Sequence, residues 1–129
     1  MTSLLISSPL AVATMNDSRD EFSGGHILIE DGVIKSIGSE ALDIQADKVI
    51  DATGMVITPG FINTHHHLYQ TLTRNIPLMQ DQPLFSWLTN HYEVWRELTT
   101  EAVEVSTQTG LLELMKSGVT TSSDHLYLF

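Results

Sequence analysis

The first half of the chain is a series of short apolar runs separated by turn residues. Leu4-Leu5-Ile6 and Ala11-Val12-Ala13-Thr14 read as strands, punctuated by Ser7, Ser8 and Pro9. Residues 16–25 are polar and contain glycine, the composition of a loop. His26-Ile27-Leu28-Ile29-Glu30 and Val33-Ile34-Lys35-Ser36-Ile37-Gly38 flank Asp31-Gly32. That dipeptide between apolar runs predicts a hairpin, because both central residues of a type I′ turn need positive φ. An acidic connection over 39–47 leads to strands at Lys48–Asp51 and Met55–Ile57, around Ala52-Thr53-Gly54. Residues 1–57 thus read as strands of a small β-sandwich, or one part of one, burying one sheet face.

The pattern changes at Pro59. Phe61 to His65 is apolar rather than alternating, as a strand buried on both faces would be. Apolar residues then recur at spacings of three and four: Leu84, Trp87/Leu88 and Val94/Trp95 predict a helix with Pro83 in its first turn. A longer helix is predicted from about Thr100 to Ser117. Thr99 or Thr100 can cap it, and Glu101 and Glu104 suit its positive end. Val105, Leu112 and Met115 mark its apolar face, with Leu111 and Leu114 beside them; Gly118 is placed for the C′ position. Val119 to Tyr127 reads as a second strand. Strand, helices, strand is the βαβ order of an α/β parallel sheet, here over 58–129. One such unit cannot close a barrel, so the chain reads as part of a longer protein or one piece of a split one.

Composition narrows the function. The chain has 129 residues, 42% hydrophobic and 17% charged, and a net charge of −10 from 6 Lys+Arg against 16 Asp+Glu. That balance disfavours nucleic acid and anionic membranes, which need clustered cations. There is no cysteine, so any metal must use His, Asp or Glu. The first ten residues carry no basic segment and no long apolar core, and no run approaches a membrane span of about 18 apolar residues. The cytoplasm is the default location.

The candidate chemistry lies at His65-His66-His67. Alternate residues on a strand share a face, about 6.6–6.8 Å apart. Imidazoles of His65 and His67 at that spacing can reach one ion at Zn–N distances of about 2.0–2.1 Å, with His66 pointing the opposite way. A bare His-X-His is equally read as an exposed or hydrogen-bonded cluster. His26 reads as structural or exposed. His91, on a helix of mixed polarity, is expected to be exposed.

The flanking residues sharpen this. Pro59-Gly60-Phe61-Ile62-Asn63-Thr64-His65-His66-His67, following Gly54 to Thr58, resembles the opening of the amidohydrolase superfamily barrel, where such a run ends the first strand. The hairpin Ile27 to Gly38 is similar to one in that superfamily's N-terminal sandwich. Further on, His67-Leu68-Tyr69-Gln70-Thr71-Leu72-Thr73-Arg74, Leu84 to Asn90, Val105 to Thr109 and Thr120 to Tyr127 resemble the 8-oxoguanine deaminase group, which adjoins the hydroxyatrazine ethylaminohydrolases.

The resemblance implies a (β/α)₈ TIM barrel with a β-sandwich built from both chain ends, of which this chain holds only the first part. It implies one divalent metal, usually zinc, with His65 and His67 as two of its ligands. It implies hydrolytic deamination of a purine-like heterocycle, with 8-oxoguanine ranked ahead of a hydroxy-s-triazine or another cyclic amidohydrolase substrate. Gln70 is assigned to the purine edge, against a polar loop residue, since an amide offers both donor and acceptor. His125, at the end of the second strand, is a weaker candidate for substrate contact. Arg74 reads as a substrate neighbour or a surface cation; Tyr69 and Trp87 read as core or as stacking partners. The remaining ligands and the catalytic carboxylate belong to later strands, so no catalytic residue is assigned within this segment, and the rest of the barrel is needed in cis or in trans. Homo-oligomers are common in the superfamily. A non-catalytic truncated product is the contrasting reading, and the isolated chain is expected to be inactive.

Overall fold

The computed structural model describes residues 2–39 and 44–127. The acidic connection is described only at 39 and 44–47. The chain divides into two compact units, Met1–Pro59 and Gly60–Phe129.

In the first unit, β1 (Ser3–Ser7), β4 (His26–Glu30), β5 (Val33–Gly38) and β6 (Lys48–Asp51) form one sheet in the order β5-β4-β1-β6. β2 (Ala11–Ala13), β3 (Glu21–Ser23) and β7 (Val56–Ile57) form a second, in the order β3-β2-β7. β1 runs antiparallel to β4 and parallel to β6, with Leu5 opposite Leu28 on one side and Val49 on the other. β2 runs parallel to β7, so two chain segments cross between the sheets side by side. Ala52 N–H donates to the Ser7 carbonyl at 2.8 Å and Leu10 N–H to the Met55 carbonyl at 2.8 Å, tying the crossings together.

The β4–β5 turn has φ of 49° at Asp31 and 79° at Gly32, the two positive values that a type I′ turn requires. Leu5, Val12, Ile27 and Ala52 are buried, and an apolar cavity of about 120 Å³ lies among Val12, Ile27, Ile34, Ile37 and Ile57. The sheet faces are otherwise open: Val33, Ile34, Val49, Ile50 and Val56 are exposed. His26 is buried and bonded to Ser36 Oγ at 3.1 Å.

Residues 16–25 are not all loop. β3 pairs with β2, placing Phe22 opposite Val12. Side chains close the intervening turn: Asn16 Nδ2–H donates to Asp20 Oδ2 at 2.7 Å, and Asp20 N–H donates to Asn16 Oδ1 at 3.0 Å. A three-residue strand held by polar turn bonds carries too little apolar pattern to read in advance.

In the second unit, β8 (Phe61–Asn63) pairs in parallel with β9 (Val119–Ser122). Between them lie two 3-10 helices, Leu68–Thr73 and Pro77–Met79, then α1 (Leu84–Trp95) and α2 (Thr100–Lys116). Both strands are shorter than the expected 61–65 and 119–127. Thr99 caps α2, its side chain accepting from Ala102 N–H at 3.1 Å, and Gly118 follows the helix at φ 83°.

The burial of these elements departs from the apolar pattern. Phe61 and Ile62 are 59% and 69% exposed, so β8 is not covered on both faces here. Val105, Leu112 and Met115 of α2 also face solvent, Met115 at 64%. The buried residues of α2 are Ser106 and Gly110. The helix therefore packs through its small residues and leaves its apolar stripe open.

Pro59-Gly60 has a steric reason. A Cβ on Gly60 would lie 2.2 Å from Thr120 Cγ2 and 2.8 Å from Thr120 Cβ, so a side chain there forces β8 from β9. Gly60→Ala should destabilise the protein by about 1–3 kcal/mol, the usual cost of overpacking. Chemical denaturation checks this; a variant as stable as the parent would show that the two strands separate freely.

Candidate functional site

β8 ends at Asn63 because the asparagine side chain turns the backbone. Asn63 Oδ1 accepts the His65 N–H at 3.0 Å, an Asx turn, while its carbonyl still accepts from Ser123 N–H at 2.9 Å. His65, His66 and His67 thus lie beyond the paired strand, so the ladder itself does not hold His65 beside His67. The segment after β9 does so. His125 N–H donates to the His66 carbonyl at 2.8 Å. Asp124 Oδ1 accepts the Leu68 N–H at 2.8 Å.

The His67 ring is fixed by the same segment. Its Nδ1 lies 2.8 Å from the His125 carbonyl. A carbonyl only accepts, so Nδ1 carries the proton and neutral His67 has its lone pair on Nε2. That Nε2 lies 3.0 Å from His65 Nε2. With the His67 proton committed to Nδ1, His65 Nε2–H is the donor of that contact. The His125 ring joins them, with centroids 5.1 Å from His65 and 5.5 Å from His67. The His66 ring turns elsewhere, toward α2 beside Gly110.

The 3-10 helix that follows is seated on α2. Ser106 Oγ is fully buried, accepts the Leu72 N–H at 3.2 Å and shares its hydrogen between the carbonyls of Leu68 (2.9 Å) and Tyr69 (2.8 Å). One turn on, a Cβ at Gly110 would stand 2.8 Å from Thr71 Oγ1 and 2.9 Å from Leu68 Cδ2. Two small residues let the helix approach this closely. Tyr69 is wholly buried against Trp95, and Trp95 Nε1–H donates to Thr73 Oγ1 at 3.0 Å. Burial pushes the Tyr69 phenol up, opposed by the bond from Gln70.

Gln70 Nε2–H donates to the Tyr69 hydroxyl at 2.9 Å. Its amide borders a groove of about 270 Å³ lined by His65, His66, His67, Gln70, Thr71 and Arg74. Arg74 is engaged: Nη1 and Nη2 donate to Glu113 at 2.7 and 2.6 Å, which raises the guanidinium and holds the Glu113 carboxyl below its usual range.

Trp87 lies among His91 and Trp95, half-buried in an aromatic cluster. His91 is 1% exposed rather than solvated; its Nδ1–H donates to the Trp87 carbonyl at 2.9 Å, one helical turn back, and two indoles cover the ring.

Neither Asp124, which the sequence places with His125 at the end of the second strand, nor Ser106 is given a role by the sequence. Asp124 had a signal in its place beside His125; a serine among helix residues had none. Among the described residues no group of three or more His, Cys, Asp or Glu is arranged to hold a metal ion. What is assembled is a pair of imidazoles in contact through their Nε2 atoms.

The model of the amidohydrolase family matches residues 56–128, more than half of the chain. The chain belongs to the amidohydrolase family. It is 42% identical to an 8-oxoguanine deaminase of Pseudomonas aeruginosa over 131 aligned positions, covering all of this chain and 28% of that protein. It is 44% identical to a 5′-deoxyadenosine deaminase of Methanobrevibacter smithii, over 78% of this chain and 23% of the relative. Among solved structures, an atrazine chlorohydrolase of Arthrobacter aurescens complexed with zinc superposes with a TM-score of 0.87 at 31% identity, over 94% of this chain and 28% of that one. The chain thus spans under a third of the length of these relatives. No helix among the described residues is long and apolar enough to cross a membrane.

Two outcomes follow from the packing of this amidohydrolase segment. Ser106→Ala strips the carbonyls of Leu68 and Tyr69 of a buried hydroxyl donor and should cost about 1–3 kcal/mol, read by denaturant unfolding. A neutral result would mean that water replaces the hydroxyl. For Tyr69 the native pKa is raised, so its contribution is intact below about 10, the ordinary tyrosine value, and is lost as pH rises through the native value. Stability should therefore fall above about pH 10, less steeply in Tyr69→Phe; equal slopes would refute the assignment.

Proposed function

We propose that this chain is the N-terminal part of a metal-dependent aminohydrolase that deaminates a purine-like heterocycle, with 8-oxoguanine as the first substrate to test. The carrying observation is the convergence of His65 Nε2 and His67 Nε2 at 3.0 Å, with the His67 proton held on the far nitrogen by the His125 carbonyl. His67 presents its Nε2 lone pair, and His65 would present its own once the Nε2 hydrogen gives way to an ion; two neutral imidazoles of this kind suit a divalent ion such as zinc. The pair fits as half of a donor set; a catalytic zinc ordinarily takes three protein ligands and a water. The other ligands and the proton-carrying carboxylate come from the remainder of a (β/α)₈ barrel, in cis or in trans. The strand, helices and parallel strand of residues 60–127 supply its first part, and the two sheets before them supply strands of an accompanying β-sandwich.

A metal bound there would supply a water acidified to a pKa of about 7, the nucleophile for an exocyclic C–N bond. The residues of this chain do the positioning. His65 and His67 hold the ion. Gln70 presents its Oε1 acceptor and second N–H to a heterocycle edge, its first N–H being tied to Tyr69. The His125 ring borders the same pair and is a further substrate contact. The ranking of 8-oxoguanine rests on the 42% identity to an 8-oxoguanine deaminase. A triazine is the second reading, favoured by the likeness to the zinc-containing atrazine chlorohydrolase. The acidic chain fits a small-molecule substrate in the cytoplasm, and the open apolar faces leave room for self-association.

The full-length protein, incubated with 8-oxoguanine, guanine and hydroxyatrazine, should release ammonia fastest from 8-oxoguanine; equal or faster turnover of the triazine would reverse the ranking. The isolated 129-residue chain should turn over none of them. In the full-length protein Gln70→Ala should lower purine turnover roughly tenfold, the worth of one or two hydrogen bonds, with metal content unchanged. Loss of metal would place Gln70 elsewhere.

A further inference from the structure

His67 is the residue before the first 3-10 helix, and no side chain of its own caps that helix. The cap comes from 56 residues away: Asp124 Oδ1 takes the Leu68 N–H at 2.8 Å. The next residue, His125, gives its carbonyl to His67 Nδ1–H at 2.8 Å and its N–H to the His66 carbonyl at 2.8 Å. Three bonds from two consecutive residues therefore fix the peptide after His67, the ring of His67 and the peptide before it. If the Leu68 N–H were released, the backbone that carries His67 would rotate and the Nδ1–H bond that sets its tautomer would lengthen.

We infer that Asp124 is a positioning residue of the metal-binding pair: its carboxylate oxygen acts as a hydrogen-bond acceptor that locks the His67-Leu68 peptide, and through it the aim of His67 Nε2 at His65. The inference rests on the reading of His65 and His67 as metal ligands. The acceptor is what matters, not the charge. Asparagine keeps an oxygen at the same place; glutamate keeps the charge and moves the oxygen by a methylene. The two substitutions separate positioning from simple attraction of a cation.

The test is metal affinity in the full-length protein, measured by titration with zinc against a chelating indicator and by the visible absorption of the cobalt(II)-substituted form. Asp124→Ala and Asp124→Glu should weaken affinity about tenfold or more, the usual effect of removing a group that orients a ligand, with an altered cobalt spectrum. Asp124→Asn should stay within about threefold of the parent. A protein in which Asp124→Asn weakens binding while Asp124→Glu keeps it would overturn the inference in favour of charge. Parental affinity in Asp124→Glu and Asp124→Asn alike would also overturn it. If Asp124→Ala does not fold, that Asn/Glu pair decides. His67→Ala distinguishes the underlying reading: parental affinity in that variant refutes metal binding at the pair itself, whatever Asp124 does.

Discussion

The arrangement of the site depends on one run of hydrogen bonds, between residues 63–68 and residues 123–125. It begins as the last rung of a parallel two-stranded sheet and continues past the end of both strands. Parallel pairing needs a long crossover, and here the crossover holds both helices. The consequence is that three histidines from opposite ends of the unit meet in one place. His65 and His67 come from the first strand's exit, His125 from the second's. Their nearness is a product of topology, and the aim of the His67 ring is a product of one carbonyl.

The crossover serves that junction through unusual packing. A helix normally buries its apolar stripe. α2 instead turns Ser106 and Gly110 inward and leaves Val105, Leu112 and Met115 in solvent. The small pair lets backbone polar groups of the 3-10 helix meet a hydroxyl at hydrogen-bond distance, which a leucine at 106 would prevent. Burying a large aliphatic side chain is worth about 1.5–3 kcal/mol, so an open stripe on α2 and an open β8 leave considerable stabilisation unrealised within this segment. Under the proposed reading those faces are where the following strands and helices of the barrel pack. The small-residue face is then committed to the site and the apolar face to the fold.

The sequence disclosed the elements better than it disclosed their faces. The Asp31-Gly32 turn, the helix start at Thr99 and the helix stop at Gly118 were legible because each depends on a few neighbouring residues. β3 was missed since asparagine and aspartate side chains, not apolar alternation, hold its turn. The lengths of β8 and β9 were overestimated since Asn63 ends the ladder through its own side chain. His91 looked solvated on a helix of mixed polarity and is buried because Trp87 and Trp95, four positions away on either side, close over it. Alternation pairs His65 with His67 and turns His66 away, as the rings lie, but beyond the end of the ladder it is a turn and a clamp that hold them. Contacts between residues 56 or more positions apart, such as Asp124 with Leu68, leave no local pattern to read.

The groove beside the pair shows how a flexible side chain can be tied to the core. A glutamine amide can rotate by half a turn and exchange donor for acceptor with little penalty in water. Here one N–H of Gln70 is spent on the Tyr69 hydroxyl, and Tyr69 is itself immobile against Trp95. Flipping the amide would set Oε1 where that N–H now donates, and the tyrosine hydroxyl would turn to donate to it, since a phenol both donates and accepts. Under the proposed reading, either orientation keeps one end of the amide on Tyr69 and leaves the rest of it for a heterocycle edge. Under that reading, the residue at 69 constrains what Gln70 can present without itself lining the groove.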